Sequence, residues 1–282
     1  MLKTEMRNPR TMEIHTMETA EILRTINEEN RRVTEAIEEA IPEITRATDA
    51  ITNSIKNGGR IFYIGAGTSG RLGVCDAAEC PPTFGVSPEL FNGIIAGGAR
   101  CMFRAAEGEE DDPLQSVVDL DAAGLKKGDV VVGISASGSA AYVIAAMNHA
   151  KEIGAVAVSI SNNPDTPLAA AADIAICADT GPEVITGSTR MKAGTAQKII
   201  LNMLSTTAMV QCGHVYENLM INLKPSNKKL RRRVIRIVTD ILKCDEEAAE
   251  KLLDQNDWNI RAAVESVKKR LILSKAKKEP LS

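Results

Sequence analysis

The chain has 282 residues, of which 44% are hydrophobic and 3% aromatic, with a formal net charge of −3. This length fits one large domain and a small appendage, because domains typically hold about 100–200 residues. The acidic balance argues against a nucleic-acid partner, and the absence of any apolar run of about 18 residues argues against a membrane span.

The N-terminal residues are polar and lack the apolar stretch of a secretory signal. The six cysteines form no CxxC pair and no zinc-ligand spacing. The three histidines likewise have no metal-ligand spacing to cysteines or carboxylates. Free thiols are typical of a reducing cytosol. We therefore expect a cytoplasmic protein without a metal site, while the sequence leaves paired disulfides open.

Residues 16–57 carry apolar side chains every three to four positions, a spacing that predicts helix. Pro42 is expected to break this run or to begin a second helix. Gly58 and Gly59 follow, as glycines do past the ends of helices. We predict an N-terminal helical segment, residues 1–57, that packs on the core.

From residue 58 onward a pattern repeats, in which an apolar strand leads through a Gly/Ser turn into a helix. Short strands that alternate with helices are typical of a doubly wound parallel sheet. We predict an α/β fold with a five-stranded parallel sheet flanked by helices, in a domain of residues 58–223. Ligands of such sheets bind outside the carboxyl ends of the strands. The strand candidates are residues 60–64, 93–97, 129–134, 155–160 and 174–178.

A long helix is predicted for residues 190–214, and the composition changes after residues 219–227, with a domain boundary expected near Lys224. Residues 228–270 are rich in Lys and Arg and have the pattern of three short helices. We predict a small C-terminal helical domain, residues 224–282. Dimer packing, a lid over the site and contact with a partner protein all remain open as its role.

The turn GAGTSG, residues 65–70, matches the G-x-G-x-x-G fingerprint of dinucleotide-binding proteins. A nicotinamide site also needs an acidic residue about 20 positions further on, at the end of the second strand. The nearest candidate, Glu89, precedes the strand candidate at 93–97 instead of following it. The sequence therefore favours a site without a nicotinamide cofactor.

Hydroxyl side chains cluster where three predicted strands or loops lead into helices. Free backbone N–H groups and the positive end of the helix dipole favour anions at such places. We expect the three turns to converge on one phosphomonoester, and the alternative is a set of ordinary turn and capping residues. The candidate binding residues are Gly67, Thr68, Ser69, Ser135, Ser137, Ser139 and Ser188, with Thr189 beside the last.

Two glutamates are candidates for acid–base chemistry, which on a sugar calls for a pair of carboxyl groups. Glu79 precedes Cys80-Pro81-Pro82, and a helix ending at these prolines would leave its carboxylate near a loop. Glu110 lies in the acidic run of residues 105–112, which by composition alone is typical of a solvated turn. Composition does not single out Glu110 within that run.

The stretch GAGTSGRLGVCDAAECPPTFG, residues 65–85, resembles the signature of N-acetylmuramic acid 6-phosphate etherases, a family with the sugar isomerase (SIS) fold. The resemblance implies conversion of N-acetylmuramic acid 6-phosphate and water into N-acetylglucosamine 6-phosphate and D-lactate, in bacterial cell-wall recycling. It also implies a cytoplasmic homodimer that uses neither a metal nor a nicotinamide. Similar segments cover nearly the whole chain, at residues 4–9, 93–98, 107–112, 180–198 and 201–220.

The same resemblance implies roles for individual residues. The two catalytic glutamates of the family fall on Glu79, as proton donor to the departing lactate, and on Glu110, as the base that removes the C2 proton. The C-terminal segment is similar to a ubiquitin-associated-like helical module. The hydroxyls that hold the sugar phosphate fall on Ser69, Ser135 and Ser139, with Thr68, Ser137 and Ser188 as neighbours.

Two positions depart from the family pattern, namely Cys75, where a larger aliphatic residue is expected, and Glu109, where a small residue is usual. Two other functions share the SIS fold and stay open at this point. One is a non-catalytic regulator that senses a sugar phosphate, and the other is an aldose–ketose isomerase. The matches around Glu79 and Glu110 favour the etherase.

Overall fold

The computed structural model describes residues 2–223, 225 and 227–267. Three short 3-10 turns precede the first helix, and a fourth, Glu109–Asp111, follows α4. Residues 260–267 are also helical. In chain order the strands and helices are α1 (Thr19–Glu29), α2 (Arg31–Lys56), β1 (Ile61–Gly65), α3 (Gly67–Phe84), β2 (Phe91–Ile95), α4 (Arg100–Phe103), α5 (Pro113–Ala122), β3 (Val130–Ile134), α6 (Ala141–Ile153), β4 (Val156–Ser161), α7 (Pro167–Ala171), β5 (Ile174–Cys177), α8 (Lys192–Gln211), α9 (Lys228–Leu242) and α10 (Glu246–Asp254).

The five strands form one parallel sheet in the order β2-β1-β3-β4-β5. In the central strand β1, Ile61 is in register with Phe91 of β2 on one side and with Val130 of β3 on the other. Strands β1 and β3 are buried along their whole length. Burial on both faces explains why these strands are continuous apolar runs in the sequence. The predicted five-stranded parallel sheet is confirmed.

Helices cover the sheet and hold its central strands together. Phe62 and Ile64 of β1 and Val131 of β3 belong to one buried cluster with Tyr142 and Met147 of α6. Burying each side chain of this size stabilises the fold by roughly 1.5–3 kcal/mol. Helix α2 packs against β1, β3 and β5. This packing fixes the carboxyl ends of β1 and β3 side by side.

The N-terminal helical run divides at a different residue from the one that the sequence predicts. The break between α1 and α2 lies at Asn30, and α2 continues through Pro42 without interruption. A proline inside a helix costs about 3 kcal/mol, because it removes a hydrogen bond and crowds the preceding turn. Ile37 and Ile44, on either side of the proline, are both buried, and burial of this apolar face offsets that cost.

Contacts within the chain define two compact units. The first comprises the residues up to Ala78 together with Pro88–Ala208, and it contains the whole sheet. The second comprises Glu79–Ser87 together with the residues from Met209 onward. In neither unit does a described helix combine the length and the apolar character needed to cross a membrane.

The second unit has an apolar core of its own, formed by α9, α10 and the helical residues 260–267. These three segments agree with the three short helices predicted between residues 228 and 270, and the positions after 267 lie outside the described residues. The domain boundaries at residues 57/58 and 223/224 stay a prediction. The buried residues that these three segments contribute to this core are Val234, Ile237, Val238, Ala249, Leu253, Ile260, Ala263 and Val264.

Candidate functional site

The strand order reverses at β1, which has β2 on one side and β3 on the other. Ligands of open α/β sheets bind at such a switch point, outside the carboxyl ends of the strands. Strand β1 ends at Gly65 and β3 at Ile134, and a short turn leads from each strand towards a helix. Both Gly/Ser turns singled out in the sequence lie here.

The glycines of the first turn serve close backbone packing. A Cβ on Gly70 would lie 2.5 Å from the carbonyl oxygen of Gly65, and a Cβ on Gly65 would lie 2.9 Å from the Gly70 nitrogen. Gly67 has a φ of +53°, which favours glycine, but no atom lies within 4 Å of a Cβ built there. Close packing between β1 and α3 thus accounts for Gly65 and Gly70 of the G-x-G-x-x-G pattern, and the positive φ accounts for Gly67.

The open end of α3 presents backbone donors to the space above β1. The N–H group of Gly70 donates to the Ala66 carbonyl at 3.2 Å, so the amides of Gly67, Thr68 and Ser69 lie in the first turn, ahead of that bond. Amides at a helix N-terminus, together with the helix dipole, attract anions. This turn therefore has backbone N–H groups that are available to an anion.

The side chain of Ser69 is fixed by a buried hydrogen-bonded chain. Its Oγ donates to Oε1 of Gln197 at 2.9 Å, and Nε2 of Gln197 donates to Oδ1 of Asn162 at 3.0 Å. Asn162 in turn donates to the Ala178 carbonyl at 2.8 Å. Gln197 lies on α8 and is 1% exposed, and no motif in the sequence pointed to it. A polar glutamine on the otherwise apolar face of a predicted helix was the one sequence signal that could have indicated Gln197.

The second turn holds a row of three serine hydroxyls. Oγ of Ser137 lies 2.8 Å from Oγ of Ser139 and 3.4 Å from Oγ of Ser135. The N–H group of Gly138 donates to Ser135 Oγ at 3.2 Å. Ser135 is buried, Ser137 is half-buried and Ser139 is exposed. The row therefore runs from the sheet edge towards solvent.

The third turn, before α8, differs from the other two. Glu183, which is fully buried, accepts hydrogen bonds from the N–H groups of Lys192 and Ala193 at 3.0 and 2.9 Å. A side chain thus already occupies the first amides of α8. Burial raises the pKa of Glu183, against the opposing effect of these two hydrogen bonds. This end of α8 is therefore not an open anion site of the kind found at α3.

The turns enclose a cavity of about 280 Å³. Its lining contains Gly67, Thr68 and Ser69 from the first turn and Ser135 and Ser137 from the second, as the sequence predicts. Of the third turn, Gly187 and Thr189 are part of the lining, whereas Ser188 is not among the described lining residues. The full lining is Glu5, Ala66, Gly67, Thr68, Ser69, Glu110, Ile134, Ser135, Ala136, Ser137, Ala140, Gly187 and Thr189.

Glu110 is exposed in the 3-10 turn Glu109–Asp111 and lines this cavity. Its neighbour Glu109 forms an ion pair with Arg100. Glu110 also lines a second cavity of about 250 Å³, which shares Ala66 and Gly67 with the first. The structure thus brings Glu110 together with the two hydroxyl-rich turns.

Glu79 is exposed and belongs to the second compact unit. The helix that carries it does not end before Cys80 as expected, because α3 continues through Pro81 and Pro82 to Phe84. Phe84 is buried at the end of this extension, where the N–H group of Gly85 donates to the Pro81 carbonyl at 2.9 Å. The catalytic assignment of Glu79 stays a prediction from the sequence.

Glu5 also lines the cavity, and no motif in the sequence pointed to it as a lining residue. The N-terminal segment that carries it is held through Thr4, which is fully buried. The Thr4 N–H group donates to Oδ1 of Asn163 at 3.3 Å, and Nδ2 of Asn163 donates to Thr4 Oγ1 at 3.0 Å. Lys3 adds an ion pair with Asp179. No local pattern predicts this placement, because it depends on contacts about 160 residues apart.

Two further features of the described residues concern cysteines and metals. All six cysteines lie in the described part of the chain and are thiols. Over residues 2–223, 225 and 227–267, no group of three or more His, Cys, Asp or Glu side chains is arranged to hold a metal ion.

Comparison with protein families defines the class of the molecule. Residues 105–207 match the SIS domain, and residues 43–151 match the N-terminal SIS domain of glucokinase regulatory protein. A solved structure of the E. coli CFT073 protein c3406 covers 72% of this chain and 97% of its own, with 18% identity and a TM-score of 0.52. A putative phosphosugar isomerase from Bacteroides fragilis covers 70% and 94%, with 20% identity and a TM-score of 0.51. The chain is a SIS-fold protein.

Curated relatives define the family more narrowly. The N-acetylmuramic acid 6-phosphate etherase of Symbiobacterium thermophilum is 50% identical over 93% of this chain and 87% of its own length. The enzyme of the same name from Aeromonas hydrophila is 52% identical, over 93% and 88%. The chain therefore belongs to the N-acetylmuramic acid 6-phosphate etherase family, as the resemblance of residues 65–85 implies.

Proposed function

We propose that this chain cleaves the D-lactyl ether of N-acetylmuramic acid 6-phosphate, giving N-acetylglucosamine 6-phosphate and D-lactate, as a carbon–oxygen lyase of amino sugar recycling. The observation that carries the proposal is the position of Glu110, which lines the same cavity as two hydroxyl-rich turns at the switch point of the sheet. Family membership at about 50% identity supports the choice of substrate.

The phosphate group binds at the first and second turns in this proposal. The amides of Gly67, Thr68 and Ser69 donate from the open end of α3, and the hydroxyls of the serine row donate from the other side. An anion at a helix N-terminus gains typically about 0.3–1 kcal/mol from the dipole alone. Neutral donors hold the phosphate without a fixed cation, which suits a ligand that is bound and released in each cycle.

The ether at C3 breaks by elimination. Opening of the sugar ring exposes an aldehyde at C1, which makes the proton on C2 acidic. Glu110 removes this proton, the C3–O bond breaks, and Glu79 protonates the departing oxygen of D-lactate. The sugar becomes an α,β-unsaturated aldehyde. Each positioned acid or base contributes typically about 10²–10⁴-fold to the rate.

Water then adds to C3 by the reverse sequence of proton transfers. Glu79 takes a proton from the water as its oxygen bonds to C3, and Glu110 returns a proton to C2. Both glutamates regain their starting protonation states, so the cycle balances without a cofactor or a metal ion. Ser139 and Ser188 complete the proposed binding set, Ser139 through its 2.8 Å contact with Ser137.

We further propose a homodimer that acts in the cytoplasm. Six cysteines in the thiol form are what a reducing compartment permits. The helical module from residue 224 onward is proposed as a separate domain, with its own apolar core in support. Light scattering of the purified chain tests the dimer, and a monomer at micromolar concentration would contradict it.

The direct test is incubation with N-acetylmuramic acid 6-phosphate, followed by stereospecific detection of D-lactate. We expect D-lactate and N-acetylglucosamine 6-phosphate in equal amounts. Parallel incubations with N-acetylglucosamine 6-phosphate and fructose 6-phosphate test for an isomerase. Aldose–ketose interconversion without lactate release would refute the proposal in favour of an isomerase. Tight binding of the substrate without turnover would favour a sensing protein.

A further inference from the structure

Arg71 stands beside the proposed active site and has no carboxylate partner among the described residues. It is half-buried on α3, one turn after Gly67, and it lines the second cavity of about 250 Å³. Its Nε donates to the Met102 carbonyl at 3.1 Å and one terminal nitrogen donates to the Arg104 carbonyl at 3.3 Å. A guanidinium has five N–H donors in a fork that matches a carboxylate. Arg71 forms no ion pair within the described part of the chain, although glutamates line the same cavity.

The second cavity adjoins the first, because the two have lining residues in common. The two share Ala66, Gly67 and Glu110, so the Glu110 carboxylate stands at their boundary. If the phosphate is held at the turns of the first cavity and C2 lies at Glu110, the second cavity is the adjoining space for a substituent on the neighbouring carbon C3. Each cavity alone is slightly smaller than the roughly 300–1,000 Å³ of typical ligand sites, and together they fall within that range.

The lining of the second cavity has the chemistry of a lactyl group. Four alanines supply small apolar surface for a methyl group, and Arg71 supplies a cation for a carboxylate. Arg71 is the one basic side chain among the described residues of this lining, which also holds three glutamates. A substrate carboxylate would be repelled there unless a cation offset the glutamates. The alanines are Ala66, Ala96, Ala105 and Ala106.

We propose that Arg71 binds the carboxylate of the substrate's lactyl group and thereby selects a carboxylate-bearing ether at C3. The inference rests on the proposed function, because it takes the lactyl ether as the substituent at C3. It adds a specificity-determining contact on the leaving group, separate from the phosphate cradle and from the two glutamates. The contact also holds the leaving oxygen in place during elimination.

The test compares two substrates on two chains. The substrates are N-acetylmuramic acid 6-phosphate and its lactamide, in which the carboxylate is replaced by a neutral amide. The chains are the wild type and Arg71→Gln, and the readout is kcat/KM from release of N-acetylglucosamine 6-phosphate. We expect the wild type to prefer the carboxylate by about 10- to 100-fold, the range of a hydrogen bond to a charged group. Arg71→Gln should lose this preference to within about threefold.

A purely structural role for Arg71 gives a different result. Arg71 also contacts the end of α4, at the carbonyls of Met102 and Arg104. Loss of these two hydrogen bonds would lower activity equally on both substrates. Equal losses, or a preference that survives in Arg71→Gln, overturn the proposal. Arg71→Lys, which keeps the charge, should retain part of the preference. Arg104→Gln is the matched control, since its exposed side chain is not in the described lining, and it should leave the preference unchanged.

Binding measurements separate a failure of the proposed function from a failure of the proposed role of Arg71. If the wild type releases no D-lactate, the function is wrong, and the ratio of dissociation constants for the two compounds then replaces kcat/KM. Titration calorimetry measures that ratio for the wild type and for Arg71→Gln. A ratio that is the same in both chains overturns the role of Arg71 whether or not the chain is a catalyst.

Discussion

The phosphate cradle and the acidic loop differ in how the chain holds them. The cradle, residues 65–70 and 135–140, lies on two buried strands, with a backbone approach that only glycine allows and a buried hydrogen-bonded chain beneath Ser69. The acidic loop, residues 104–112, is almost entirely exposed, and Arg71, Arg100 and the capping side chain of Asp112 hold it. Substitutions in the cradle should therefore lower the stability of the fold, and those in the loop should lower the rate of catalysis.

The largest expected effect lies in the loop. Glu110→Gln should lower kcat by about 10²–10⁴-fold because it removes the base. Its melting temperature should hardly change, because exposed substitutions usually change the free energy of unfolding by no more than about 0.5 kcal/mol.

In D₂O, exchange of the C2 proton of N-acetylglucosamine 6-phosphate should stop in Glu110→Gln and persist in Glu79→Gln. The reverse pattern would exchange the roles of the two glutamates. Glu109→Gln is the control and should lose less than about 1 kcal/mol with its surface ion pair.

The next effect lies in the cradle. Gly70→Ala places a Cβ 2.5 Å from a backbone carbonyl oxygen, and forced contacts of this kind cost about 1–3 kcal/mol or more. The expected result is a clear loss of melting temperature or of folded protein. Gly67→Ala should cost less, about 1–2 kcal/mol from its left-handed backbone alone, because no atom lies within 4 Å of its Cβ. Equal thermal stability of the two variants would contradict the claim that close backbone packing at Gly70 stabilises the cradle.

A smaller effect is expected beneath the cradle. Gln197→Leu removes the acceptor of Ser69 and the donor to Asn162. Because Ser69 lines the cavity and its hydroxyl can turn to water, the main cost is the unpaired oxygen of the fully buried Asn162, about 1–3 kcal/mol. KM for N-acetylmuramic acid 6-phosphate should rise more than kcat falls, because Ser69 loses its fixed position. Steady-state kinetics and thermal unfolding measure both parts. An unchanged KM with an unchanged melting temperature would show that the buried chain does not support the cradle.

The smallest effect is a dependence of stability on pH at the N-terminal segment. Burial alone would raise the pKa of Glu29, but hydrogen bonds from Lys192 and Asn8 lower it below its ordinary value. A lowered carboxyl pKa contributes stability that is present above the unfolded pKa, near 4.3, and is lost as the pH falls through the folded value. Unfolding scans below about pH 4 should therefore show less acid sensitivity in Asn8→Ala than in the wild type. Equal sensitivity would contradict this.

The sequence predicted the parts of the molecule whose signals are local. Buried strands followed by Gly/Ser turns placed Thr68, Ser69, Ser135 and Ser137 at one sheet edge, where the structure has them. The break expected at Pro42 was wrong, because burial of the apolar face of α2 outweighs the helix-breaking effect of the proline. The helix end expected at Pro81 and Pro82 was also wrong, because α3 continues through both prolines to Phe84.

Residues that reach the site from elsewhere in the chain were not predictable. Glu5 arrives through a segment anchored about 160 residues away, and Gln197 contacts Ser69 across 128 positions. Glu183 caps α8 from nine residues upstream in a loop of irregular backbone. Such contacts depend on the tertiary fold, which no periodicity or turn motif encodes. The catalytic pair itself came from the family resemblance and not from composition.

The central claim is that the cradle and Glu110 act on one open-chain sugar, with cleavage at the C3–O bond. Turnover of N-acetylmuramic acid 6-phosphate in water enriched in oxygen-18, followed by mass spectrometry of both products, tests this claim directly. Cleavage at C3–O followed by addition of water places one labelled oxygen at the C3 hydroxyl of N-acetylglucosamine 6-phosphate and leaves D-lactate unlabelled. Label in the lactate hydroxyl would mean that the other ether bond is cut, and it would refute cleavage at C3–O.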